Sequence, residues 1–93
     1  MTKVEYSAQV LDFLRSLAPT PRRALVRAMK ALPAERGDIK PLQGDLTGFL
    51  RLRVRGYRVI FRRVPGAVRC EFAENRSIIY ELFAIELERL KES

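Results

Sequence analysis

The stretch Leu50-Arg51-Leu52-Arg53-Val54-Arg55-Gly56-Tyr57-Arg58-Val59-Ile60-Phe61 decides the fold. Apolar and basic residues alternate on both sides of Arg55-Gly56, and a period of two marks half-buried strands. With Arg55 and Gly56 as the loop of a tight hairpin, Val54 faces Tyr57, Arg53 faces Arg58, Leu52 faces Val59 and Arg51 faces Ile60. One face then carries Leu50, Leu52, Val54, Tyr57, Val59 and Phe61. The other carries Arg51, Arg53, Arg58 and Arg62, with Ile60 among them. Arg55 is a poor occupant of a turn position that asks for positive φ. Like charges crowded on adjacent strands repel by a few tenths to about 1 kcal/mol per pair. A bound anion relieves that repulsion, which points to a polyanion site; the alternative is a solvated basic face whose arginines splay into water.

The chain has 93 residues, a net charge of +7 and 47% hydrophobic residues. That is one small domain, residues 1–93, with an ordinary globular composition. Residues 50–76 hold eight arginines against two glutamates, so nearly all of the net charge sits there. Nucleic acid is the obvious candidate partner for such a patch, and an acidic protein partner fits equally well on charge alone. The single cysteine, Cys70, excludes an intrachain disulfide and suits a reducing cytoplasm. No signal peptide or apolar run of membrane-spanning length is visible. Histidine is absent, which removes the commonest general base and metal ligand. Catalysis, if present, runs on Arg, Lys, Tyr, Ser or carboxylates, and no metal or cofactor is expected.

Around the hairpin the remaining elements read in order. Lys3 to Tyr6 alternates as a first strand, and Ser7 caps a helix over Ala8 to Leu17. Thr20-Pro21 starts a second helix through Leu32, with Leu25, Ala28, Met29 and Leu32 inward and Arg22, Arg23, Arg27 and Lys30 outward. Residues 34–48 read as loop, because Gly37, Pro41, Gly44 and Gly48 break any period. Pro65-Gly66 turns the chain into a strand over Ala67 to Ala73, with Val68, Cys70 and Phe72 on the core face. Ser77 caps a last helix from Ile78 to about Leu90, with Ile79, Leu82, Phe83 and Leu90 on one side. A further strand over Arg76 to Phe83 is the alternative. The order predicts an α+β fold: an N-terminal strand and helical hairpin packed on a mainly antiparallel four-stranded sheet, followed by a C-terminal helix.

The run Leu42-Gln43-Gly44-Asp45-Leu46-Thr47-Gly48, followed by Arg51 to Arg62 with its Gly56-Tyr57-Arg58 step, resembles the RelE/ParE superfamily of type II toxin–antitoxin toxins. Arg76-Ser77-Ile78-Ile79-Tyr80 is similar to the arginine-to-tyrosine segment of the RelE-like branch. The resemblance implies a RelE-like fold and a metal-independent endoribonuclease that cleaves messenger RNA in the ribosomal decoding site and so inhibits translation. Attack of the 2′-hydroxyl leaves a 2′,3′-cyclic end. It implies Arg58, Arg53, Arg76 and Tyr80 as catalytic residues and Arg51, Arg53 and Arg62 as RNA-binding residues. Arg51 and Arg53 stand where the family often carries lysines, and Glu74 where some members carry a further basic residue. RNA transesterification needs a base for the 2′-hydroxyl, cations for the pentacovalent phosphate and a donor to the leaving 5′-oxygen. Guanidinium groups grip phosphate in a bidentate manner but stay protonated. Tyr80 is therefore the candidate base by elimination, or else a buried structural tyrosine beside Ile79 and Leu82.

The implied partners are a cognate antitoxin, in a toxin–antitoxin hetero-oligomer that masks the arginine face or displaces the last helix, and messenger RNA with the ribosome. No membrane partner is implied, and the implied location is the cytoplasm. Two other functions fit the same resemblance: a ParE-like gyrase-inhibiting toxin without nuclease activity, and a non-toxic chain that only binds an antitoxin.

Overall fold

A computed structural model of the chain describes residues 2–75 and 79–92, with Glu92 described by its backbone alone. The elements run β1 (Lys3–Tyr6), α1 (Ala8–Ser16), α2 (Pro19–Lys30), β2 (Asp38–Pro41), β3 (Leu50–Val54), β4 (Tyr57–Val64), β5 (Ala67–Glu74) and α3 (Ile79–Glu92). The class is α+β as the sequence predicts, and the sheet has five strands in the order β1-β5-β4-β3-β2. Among the described residues only the β1–β5 pair is parallel. The additional strand is β2, in the stretch read as loop. Its four residues pair with the free edge of β3, Asp38 opposite Arg53 and Lys40 opposite Arg51. A short strand ending in proline is typical of a sheet edge.

The central hairpin has the register read from the sequence. Val54 pairs with Tyr57, Arg53 with Arg58, Leu52 with Val59 and Arg51 with Ile60. The link is Arg55-Gly56, and Arg55 takes the left-handed conformation, φ 56°. The apolar face of the ribbon meets the two N-terminal helices. Leu52, Val59, Phe61, Val68, Cys70 and Ala73 form one core with Val10 and Leu14 of α1 and Leu25 and Met29 of α2. Tyr57 joins its margin, its ring edge-on to Phe13 at 6.0 Å between centroids.

A β-bulge sets the opposite face. Ile60 pairs with Phe72 but Phe61 pairs with Cys70, so Glu71 is the extra residue. The shift inverts the phase of β5. Phe72 therefore does not share a face with Val68 and Cys70, as unbroken alternation predicts. It turns to the second face, where its ring lies 5.7 Å from that of Phe83. There α3 closes a second, smaller core of Leu46, Ile60, Ile79 and Phe83, flanked by Leu42, Phe49, Phe72, Tyr80 and Leu87. Ile60, the apolar member of the arginine face, is fully buried by this cap. From Ile79 onward the chain is helical, not a further strand. Leu90, placed on the inner side of that helix by periodicity, is 61% exposed.

Side chains tie α1 to the sheet where β1 ends. Ser7 caps α1 by accepting from the Val10 N–H at 3.1 Å and donates to the Glu71 carbonyl at 2.7 Å. Gln9 donates to the Ala73 carbonyl at 2.7 Å and accepts from the Ala73 N–H at 2.8 Å. The Gln9 amide thus replaces the backbone of a neighbouring strand and fixes β5 one residue before Glu74. Thr20 does not cap α2. The helix begins earlier, at Pro19, with Ala18 as N-cap, because proline is already suited to the first turn. Arg22 secures that turn by donating to the Leu14 and Leu17 carbonyls.

Candidate nucleic-acid interface

The second face of the sheet is a set of cross-strand rows. At the hairpin end, β2 to β5 contribute Asp38, Arg53, Arg58 and Glu74. The next row is Lys40, Arg51, Ile60 and Phe72, and its apolar half lies under α3. Farther along, Arg62 pairs with Arg69. Adjacent strands are about 4.8 Å apart, and alternate residues of one strand about 7 Å apart. Among the described residues, the first row has Asp38 and Arg53 exposed and Arg58 and Glu74 half-buried, beside the α3-covered core.

The four arginines of this face divide into two kinds. Arg51 donates to Asp38 Oδ1 at 2.9 Å, and its side chain is only 13% exposed. Its Nε is buried without a hydrogen-bond partner among the described residues. Arg62 donates through Nε to Glu71 Oε2 at 2.7 Å, with side-chain exposures of 40% and 18%. The bulge that displaces Glu71 supplies this partner. Both arginines, implied as RNA-binding by the resemblance, are thus engaged by the protein's own carboxylates. Arg69 is likewise paired, with Glu5 at 3.4 Å.

Arg53 and Arg58 differ. They face each other in register, Arg53 exposed and Arg58 half-buried. Neither has an ion pair or hydrogen bond to a side chain among the described residues. Glu74 stands opposite Arg58 on β5. Its Oε1 accepts from the Asn75 N–H at 2.7 Å instead of meeting the guanidinium. Two adjacent unpaired cations cost stability, and together they present two planar forks to one anion.

Tyr80 lies in the first turn of α3, half-buried against the second core. The other two tyrosines, Tyr6 and Tyr57, pack on the first core. The Tyr80 hydroxyl has no hydrogen bond to a described residue, so no guanidinium among them contacts it. Arg76 and Ser77 lie outside the described residues. Gln9 and the Glu71 bulge, which set the position of Glu74 and the engagement of Arg62, carry no sequence signal, because both depend on backbone pairing far along the chain.

No family model and no curated protein matches the sequence. Solved structures do. The toxin–antitoxin complex RelBE2 from Mycobacterium tuberculosis matches with a TM-score of 0.68 and 26% identity, over 82% of this chain and 92% of that one. The archaeal RelE–RelB complex from Pyrococcus horikoshii matches with a TM-score of 0.67 and 26% identity, over 82% and 96%. YafQ from Escherichia coli, at 16% identity, shares the fold, with a TM-score of 0.66 over 86% and 99%. By its strand order, its helical caps and these likenesses, the chain belongs to the RelE/ParE-like toxin superfamily.

Proposed function

We propose that this chain is the toxin of a type II toxin–antitoxin pair and acts as a metal-independent endoribonuclease on messenger RNA at the ribosome. The observation that carries the reading is Arg58. A half-buried guanidinium without a protein partner among the described residues, facing a second unpaired guanidinium, is a site completed by an external anion. A phosphodiester fits both forks. Arg53 and Arg58 hold the scissile phosphate and stabilise the charge that grows on it. Arg76 adds a cation from the segment after β5. Tyr80 is the phenol on this side of the sheet and exchanges the proton of the reaction. Arg51 and Arg62, engaged by Asp38 and Glu71, steer RNA toward the site through the field they contribute.

The antitoxin is a separate chain whose acidic or amphipathic segment covers the arginine face or displaces α3. The likeness to two toxin–antitoxin complexes supports this partner. The chain works in the cytoplasm as one domain, and no described helix is long and apolar enough to cross a membrane.

Expression of the chain alone, with transcript ends mapped, tests the reading. The wild type arrests growth and produces new transcript ends, whereas folded Arg58→Ala restores growth and loses the ends. Growth arrest with intact transcripts and inhibited gyrase would overturn it in favour of the ParE-like alternative.

A further inference from the structure

A carboxylate stands at the open end of the arginine row, and the phosphate-gripping role leaves it unused. Glu74 is the β5 partner of Arg58 and shares the second face with it, since Ala73 points into the first core. Side chains opposite each other on adjacent strands have Cβ atoms about 5 Å apart. Despite that proximity, no ion pair joins Glu74 to Arg58 or Arg53. The Asn75 N–H holds Oε1 at 2.7 Å, and Oε2 has no described partner. The carboxylate is therefore oriented by the backbone that follows it, half-buried, with one oxygen unengaged by any described residue. The backbone immediately before it is held by the Gln9 amide, which makes two hydrogen bonds to Ala73.

In RNA the 2′-hydroxyl adjoins the phosphate it attacks. A phosphate held between Arg53 and Arg58 brings that hydroxyl to the neighbouring strand, where a base within hydrogen-bond reach is required. On the reading of this chain as an RNA-cleaving toxin, we propose that Glu74 is the general base that activates the 2′-hydroxyl. The O–H bond breaks as its proton passes to Glu74 Oε2, and the 2′-oxygen lone pair forms the new bond to phosphorus. The bond from phosphorus to the 5′-oxygen breaks, and the departing oxygen keeps the electron pair and takes a proton from the Tyr80 hydroxyl. Glu74 then returns its proton to water, and Tyr80 recovers one from water. The base role thus moves from Tyr80 to Glu74, and a neutral phenol is left with the donor role that suits it.

The role has a signature that a structural or merely electrostatic carboxylate lacks. Removing a negative charge beside two arginines strengthens RNA binding, while removing a base slows cleavage. Wild type, Glu74→Gln, Glu74→Asp and Glu74→Ala are compared in single-turnover cleavage of a labelled messenger on translating ribosomes. Affinity is measured in parallel with a short RNA carrying 2′-deoxy substitutions, and folding by circular dichroism. Glu74→Gln is expected to bind this RNA as tightly as wild type or tighter and to cleave about 100-fold more slowly. Glu74→Asp is expected to retain part of the rate, and added formate to restore part of the Glu74→Ala rate. Wild-type cleavage with folded Glu74→Gln equally fast would overturn the proposal alone. A wild type that leaves the messenger intact would overturn both the proposal and the nuclease reading beneath it. If Glu74→Gln is unfolded, formate rescue of Glu74→Ala decides, and no rescue in that folded variant counts against the base.

Discussion

Arg58 and Arg62 lie on the same strand and the same face, yet their removal is expected to move stability in opposite directions. Arg62→Gln breaks a 2.7 Å charge-assisted bond and leaves Glu71, 18% exposed, without its cation. A fully desolvated bond of that kind contributes about 1.5–3 kcal/mol. The 40% exposure of the Arg62 side chain screens it, so the loss is about 1 kcal/mol. Arg58→Gln breaks no ion pair among the described residues and removes the repulsion from Arg53, a gain of a few tenths of a kcal/mol. In urea, with a slope of about 1.5 kcal/mol per molar, the midpoint falls by about 0.7 M for Arg62→Gln. It stays level or rises by about 0.2 M for Arg58→Gln. Equilibrium unfolding followed by far-UV circular dichroism reads both. If Arg58→Gln lowers the midpoint as much as Arg62→Gln does, the division of the arginine face into engaged and open members is wrong.

Two further outcomes follow from the first core. Gly37 has φ +122°, and a Cβ there would lie 2.8 Å from Cδ1 of the fully buried Leu52, so Gly37→Ala is expected to cost about 1–3 kcal/mol in the same unfolding assay. Burial, with the nearby Glu71 carboxylate, pushes the Cys70 thiol up from 9.0 to about 12. The folded state therefore keeps a proton that the unfolded chain gives up, and stability is whole below about pH 9 and falls as pH rises toward 12. Burial also raises Tyr6, which adds in the same direction. Unfolding curves from pH 8 to 11 check this, and Cys70→Ala flattens the decline.

The hairpin was legible because its information is local. Alternation and a two-residue loop fix register, and register fixes faces, so Leu52, Val59 and Phe61 entered the core while Arg53 and Arg58 met across the strands. The features that escaped are those in which another part of the chain overrides local pattern. Residues 38–41 become a strand because β3 offers an unpaired edge. Phe72 changes face because one bulge absorbs a residue. The same bulge brings Glu71 to Arg62, and β2 brings Asp38 to Arg51. Four arginines equivalent by phase thereby become two paired and two without a partner among the described residues. Composition pointed to the basic face correctly but could not tell which cations the fold had already satisfied.

On the proposed function, Arg53 and Arg58 are the cations that meet RNA. The side-chain Nε–H resonances of the arginines, followed by NMR while a short uncleavable RNA is added, test this most directly. The expected result is that the Arg53 and Arg58 signals shift and slow their exchange with solvent, while those of Arg51 and Arg62 change little. Shifts confined to Arg23 and Arg27 on the far side of α2, with Arg53 and Arg58 unmoved, would contradict it.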